Sequence, residues 1–357
     1  MRTIIALATL IATAPAAADP VDDWAATAMK EQSIPGMAVG LFCRGEPLRY
    51  AAHGYANLEH EVPVTLDTRF QSGSVGKQFT TALIQLLARE GKLTLDDPIA
   101  DHIDDAPERW SGITIRQLMN HSAGMGDYGD AFDVRTDRTE EELVQMIRDS
   151  DLVFTPGEGW RYSNYGYILL GHIARKAGGS YWGDQAKARI FEPVGMATAQ
   201  VIDDIGIVPR RAAGYNKRDG ALQNQWWVSP TLNTTADGAL YVTILDMAAW
   251  EHALWNRSLL TADELEEAWS PSAATGEEED QSYGLGWFVA TRDGRDYVYH
   301  GGSWQGFNSS ISRDTTSGMT VVFLANLDGL PVPQMTKDLH AAARAAYAAQ
   351  GATACAD

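Results

Sequence analysis

The runs that read as β-strand lie at the two ends of this chain, and those that read as helix lie mostly between them. Near the start, Gly36-Met37-Ala38-Val39-Gly40-Leu41-Phe42 is a strand-like run, and Arg44-Gly45-Glu46-Pro47 reads as the turn into a second strand. Beyond Ser282 the short β-rich runs Trp287 to Thr291, Arg295 to Tyr299, Phe307 to Ser312 and Met319 to Leu324 are punctuated by Asp293-Gly294 and Ser317-Gly318. Strands at both ends suggest an α+β fold: one antiparallel sheet built from the two termini, flanked by helices, with a mostly helical region inserted. The expected sheet segments are about 19–72 and 280–357, the helical segment about 73–279, and the whole of 19–357 a single domain.

The helices are legible from spacing and caps. One is expected from Val21 to Glu31 and one from Tyr165 to Lys176, stopped by Gly178-Gly179. From Val75 to Glu90, Phe79, Leu83, Leu86 and Leu87 recur at helical spacing, with Gly91 as the stop. Thr139 with Glu142 and Thr261 with Glu264 form capping boxes, and an alanine-rich helix closes the chain from about Gln334 to Ala349.

Met1-Arg2, the apolar run Thr3 to Ala14 and the small residues Ala16-Ala17-Ala18 before Asp19 have the pattern of a secretory signal over 1–18. An exported protein, periplasmic or secreted, is expected, and the apolar run is too short to anchor it across a bilayer. With 28 Lys and Arg against 47 Asp and Glu, the formal net charge of -19 makes nucleic acid and anionic lipid poor partners. An oxidising compartment would permit a bond between Cys43 and Cys355, though the sequence does not show that they meet. The eight histidines have no metal-ligand spacing, so no metal or cofactor is expected.

Ser74-Val75-Gly76-Lys77 puts a hydroxyl and an amine three residues apart at a helix start, on one face. A serine hydroxyl attacks a carbonyl well only if a base takes its proton, and a lysine does so only when neutral. Burial and the positive end of a helix both disfavour the ammonium. Ser-x-x-Lys alone is a weak signal. Two further segments stand downstream: Tyr162-Ser163-Asn164 before a helix, and His300-Gly301-Gly302-Ser303 at the end of a strand.

In that order, these segments resemble the β-lactamase-related serine hydrolases, which include class C β-lactamases, D-alanyl-D-alanine carboxypeptidases, D-aminopeptidases and some carboxylesterases. Ile113 to Gly124, Ile190 to Met196, Ala213-Gly214-Tyr215 and Tyr283 to Trp287 extend the resemblance over nearly the whole chain after residue 18. It implies that Ser74 is the acylated nucleophile, with Lys77 and Tyr162 as proton carriers, either of which could be the acylation base. It further implies that Asn164 binds substrate or orients Lys77, and that the backbone N–H groups of Ser74 and Ser303 form the oxyanion hole. Gly302 lets substrate lie along the strand, and Trp304 is expected to face it. Tyr55-Ala56-Asn57 has the same spacing as Tyr162-Ser163-Asn164 but precedes the Ser-x-x-Lys helix, so Tyr55 is read as structural, as is His121.

The departure from the family's best-known pattern is His300, where β-lactamases and carboxypeptidases usually carry a lysine that holds a substrate carboxylate. A histidine is mostly uncharged at neutral pH, so this chain is expected to favour small neutral esters or peptide-like amides. Cell-wall peptides and β-lactams are the alternative substrates, and a noncatalytic binding protein on the same fold is the alternative of another class.

Overall fold

A computed structural model describes residues 19–129, 132–278, 280–349 and 355. The expected signal at 1–18 lies outside the described residues. The chain opens with α1 (Pro20–Gln32), whose N-cap Asp19 accepts a hydrogen bond from Val21 N–H. It continues into strands β1 (Gly36–Cys43), β2 (Glu46–Asn57) and β3 (Val62–Pro63). The other strands of the main sheet come from the far end: β4 (Ala273–Ala274), β5 (Gln281–Tyr283), β6 (Phe288–Arg292), β7 (Arg295–Trp304), β8 (Phe307–Asp314) and β9 (Met319–Ala325).

Their order across the sheet is β3-β2-β1-β9-β8-β7-β6-β5-β4, so the two ends of the chain join where β1 pairs with β9, Val39 opposite Phe323. All pairings are antiparallel, as the sequence suggests. Strand β9 is buried on both faces, which explains its unbroken apolar run: Val322 and Leu324 join one core, and Val321, Phe323 and Ala325 the other. The second core is closed by α1 and by the last helix, Val332–Ala349. Cys355, beyond that helix, is bonded to Cys43 of β1.

The other face of the sheet carries the helical region. At its centre is α2 (Lys77–Arg89), preceded by a 3₁₀ turn at Gly73–Gly76 where the sequence reads as one helix from Val75. Residues 77–87 of α2 are all buried, and Phe79 packs its ring against Phe191 and Trp250. Beside it lies α3 (Asn164–Gly178), capped by Ser163 at one end and Gly179 at the other. A further helix, α4 (Ile244–Asn256), was not marked in the sequence; its capping box uses Thr243 with Asp246 instead of the commoner glutamate. The last helix is α5 (Val332–Ala349).

Candidate active site

Ser74 stands in the 3₁₀ turn, where three backbones meet with almost no side chains between them. A methyl at Gly73 would come within 2.5 Å of Ser303 N, and one at Gly302 within 2.1 Å of Ser72 O and 3.1 Å of Ser74 N. Glycine at both positions therefore lets the end of β7 lie against the turn that carries the nucleophile. Hydrogen bonds fix this arrangement: Ser309 Oγ donates to Ser72 O at 2.5 Å, and Ser72 Oγ to Gly238 O at 2.9 Å.

Strand β7 passes into β8 through Gln305-Gly306, both at positive φ (40° and 88°), the conformation of a two-residue type I′ hairpin. Trp304 and Phe307 close that hairpin, and ladder hydrogen bonds alternate away from it, so Ser303 N–H points away from β8. Strand β6 ends opposite Tyr299, so the edge beyond it is open. Ser303 N–H and Ser74 N–H thus border one space at this edge, as an oxyanion hole requires.

Lys77 is 0% exposed, and its Nζ lies 3.2 Å from Ser74 Oγ, 2.7 Å from Asn164 Oδ1 and 2.6 Å from the carbonyl oxygen of Asp237. Burial lowers its pKa to about 8, against the opposing pull of the Asp237 and Asp127 carboxylates. A neutral amine in this place can donate to Asn164 and Asp237 and turn its lone pair on the Ser74 hydroxyl.

Asn164 is in turn held by Asp127, whose carboxylate accepts from Asn164 N–H and Nδ2, each at 3.2 Å. The Asp237 carboxylate accepts from Thr235 Oγ1 at 2.6 Å and faces the Tyr128 hydroxyl at 3.4 Å. Neither aspartate was singled out in the sequence. Asp237 lies 160 residues from the lysine it contacts, and no local pattern marks it.

The Tyr162 hydroxyl is buried and has no hydrogen-bond partner of full geometry among the described residues. Burial pushes its pKa well above the ordinary phenol value, with a smaller opposing pull from the Ser74 hydroxyl. His121 packs its ring 4.3 Å from that of Tyr162, and its Nδ1 accepts from Ser163 N–H at 3.2 Å. It thereby braces the turn that presents Tyr162, and burial holds it well below its usual pKa. Tyr55 is exposed on β2.

His300 is only 2% exposed, on the inner face of β7. Its Nδ1 lies 2.6 Å from the carbonyl oxygen of Gly301, which can only accept, so Nδ1 carries the proton. Its Nε2 then accepts from the Tyr283 hydroxyl at 2.8 Å. Both ring nitrogens are occupied, and burial lowers the pKa to about 3. Desolvation thus keeps neutral, well below neutral pH, a ring that the sequence alone makes only mostly uncharged. The Trp304 indole N–H is bound to Asn233 Oδ1 at 2.7 Å, and the residue lines a small hollow with Ser74, Asn164 and Asp237.

A cleft of about 980 Å³ opens from Ser74 and Tyr162 along Gly301, Gly302 and Ser303. Among the described residues no group of three or more His, Cys, Asp or Glu is placed to hold a metal ion.

Residues 21–346 match the Beta-lactamase family profile. The chain belongs to the β-lactamase family of serine hydrolases. This family member is 30% identical over 302 residues to Penicillin-binding protein 4* of Bacillus subtilis (strain 168), covering 79% of this chain and 66% of that protein. It is 27% identical over 305 residues to a D-aminopeptidase of Gluconobacter oxydans (strain 621H), covering 82% of this chain and 56% of the other. It thus spans about two thirds or less of the length of these curated relatives. Among solved structures, the octameric penicillin-binding protein homologue from Pyrococcus abyssi superposes with a TM-score of 0.81 at 26% identity, over 90% of this chain and 76% of that one.

Proposed function

We propose that the protein is an exported hydrolase that cleaves small neutral esters or peptide-like amides through an acyl-enzyme on Ser74. The observation that carries this reading is the buried Lys77 amine, 3.2 Å from Ser74 Oγ and with its pKa lowered to about 8. At pH 7 a lysine of pKa 8 is neutral about one time in ten, against roughly one in a few thousand for an unperturbed one.

Burial moves the two proton carriers apart, Lys77 down and Tyr162 up, which favours Lys77 as the acceptor of the Ser74 proton and Tyr162 as a donor. In acylation Ser74 Oγ bonds to the carbonyl carbon and the oxygen gains charge between Ser74 N–H and Ser303 N–H. The C–O or C–N bond then breaks, and the proton taken from Ser74 ends on the leaving group. Water repeats the sequence on the acyl-enzyme and frees Ser74.

Neutral substrates are favoured because His300, sealed by Tyr283 and Gly301, offers no cation beside the carbonyl. Export rests on the N-terminal pattern and is supported by the Cys43–Cys355 bond. The test is intact-protein mass spectrometry after exposure to a p-nitrophenyl ester, a penicillin and a D-amino-acid amide. A transient adduct with the ester or amide is expected. A stable penicillin adduct with no ester turnover would move the assignment to cell-wall peptides, and no adduct with any would favour a binding protein.

A further inference from the structure

The cleft continues past Ser74 across the outer face of the sheet, between β7 and α5. Ser303 and Tyr299 lie opposite Asn308 and Ser312, so four residues of strand, about 13 Å, separate the catalytic edge from the far end. Gly301 forms the neck. A methyl there would come within 3.1 Å of Val332 Cγ1, so its missing side chain keeps the passage open.

At the far end α5 presents Lys337, His340 and Arg344, spaced to share one helix face. His340 is 3% exposed and its Nε2 lies 2.9 Å from Ser312 Oγ. Its Nδ1 is buried without a hydrogen-bond partner among the described residues, although the ring lines the cleft. A serine proton donated to Nε2 would leave the ring's own proton on Nδ1. Arg344 Nη1 is likewise buried without a hydrogen-bond partner; the carboxylate beside it, Asp314, is 4.0 Å away and already takes Arg295 at 3.1 Å. A buried donor left unpaired is costly, and Arg344 Nη1, which borders the same cleft as the unpartnered ring nitrogen of His340, points to a ligand that accepts.

The charges select its sign. The lining away from the helix carries Glu277, Glu278 and Asp293 together with the cation Arg292, which is held by Glu278 at 2.7 Å. An anion is repelled there and settles against the helix, where Arg344 and Lys337 supply charge and His340, in the tautomer that accepts from Ser312, adds an N–H.

We propose that this end of the cleft binds a carboxylate carried by the substrate about 13 Å from the scissile carbonyl. The inference rests on the hydrolase reading above and refines it: the substrate is neutral at the reacting group and anionic at its far end. It is a long acyl or alkyl chain, or a peptide of about four extended residues, with a terminal carboxylate.

The test uses p-nitrophenyl monoesters of heptanedioic and dodecanedioic acid, each beside its methyl-capped neutral form. A second pair, 12-acetoxydodecanoate and its methyl ester, read by acetate release, carries the carboxylate on the alcohol half. The long carboxylate is expected to exceed its neutral partner in kcat/KM by roughly tenfold in one attachment series, and the short one to show no such preference. That ratio should fall toward unity in Arg344→Gln and decline in Lys337→Ala, an exposed position that tests the site even if the first variant fails to fold. Equal rates for the long pairs, a preference that ignores chain length, or one that survives both substitutions would overturn the inference and leave the hydrolase reading standing. Failure to turn over any of the esters would overturn both.

Discussion

The acid limb of catalysis should move when Asp127 loses its charge. Lys77 must be neutral to take the Ser74 proton, so kcat/KM for a neutral ester should rise with pH through an apparent pKa of about 8. That value belongs to the coupled Ser74, Lys77 and Tyr162 group as a whole. Two hydrogen bonds, 2.7 Å from Lys77 Nζ to Asn164 Oδ1 and 3.2 Å from Asn164 Nδ2 to Asp127, span the Asn164 amide and put the carboxylate no more than about 8 Å from the amine. At an effective dielectric constant of about 20, that separation corresponds to about 2 kcal/mol of attraction for the ammonium, or about one and a half pH units.

The Asp127 carboxylate favours the charged lysine, so its removal lowers the lysine pKa. In Asp127→Asn the midpoint should therefore fall from about 8 toward about 6.5, even if the plateau drops because the new amide faces Asn164 Nδ2. The assay is a pH profile of kcat/KM from pH 5.5 to 9.5 on p-nitrophenyl acetate, corrected for spontaneous hydrolysis. A plateau loss alone would assign Asp127 a purely structural part. A midpoint that stays in place or moves upward would refute the electrostatic reasoning.

Buried neutral histidines should make the fold sensitive to acid. His121, His300 and His340 all have folded pKa values below the unfolded ~6.5, so the unfolded chain binds more protons between the two values and stability falls as pH drops. At pH 5.5 the cost is about 1.4 kcal/mol for each of His300 and His340, about 3 kcal/mol together, with His121 acting in the same direction, and urea unfolding should show a lower midpoint there than at pH 7.5; equal midpoints would contradict the burial. Because His300 stays neutral down to about pH 3, the ratio of kcat/KM for carboxylate-bearing and neutral substrates should be the same at pH 8 and pH 5.5, and a rise at pH 5.5 would show a cation at that strand. The Cys43–Cys355 bond closes a separation of 312 residues, so Cys43→Ser should lower stability by up to about 5 to 6 kcal/mol on the chain-entropy model, measured by urea unfolding without reductant. An unchanged midpoint, or free thiols in the denatured wild type, would disprove the link.

What the sequence made legible depended on how local each signal was. Ser74 with Lys77, and Tyr162 with Asn164, are short patterns at helix starts, and the structure brings all four residues to one point. The sheet was legible because its turns, such as Asp293-Gly294, carry their own chemistry, and because the unpaired strands of each end need the other. Asp127 and Asp237 stayed hidden because their meaning lies in contacts 37 and 160 residues away. His300 shows the same limit from the other side. Strand alternation places it on the inner face with Gly302, but that Tyr283 caps its ring follows from sheet packing that no local pattern records. The helix face of Lys337, His340 and Arg344 belongs to an alanine-rich closing helix, and its part in the cleft depends on strands distant in sequence that no local pattern records.

The central claim, that Ser74 is acylated with Lys77 as its partner, is most directly tested by mapping the acyl group. Wild type, Ser74→Ala and Lys77→Ala are mixed with a p-nitrophenyl ester, quenched in acid within the first turnovers, digested and sequenced by mass spectrometry. The adduct should lie on the peptide containing Ser74 in the wild type, be absent from Ser74→Ala, and form far more slowly in Lys77→Ala, with the double variant little worse than either single one. An adduct on any other residue, or undiminished turnover by Ser74→Ala, would contradict it.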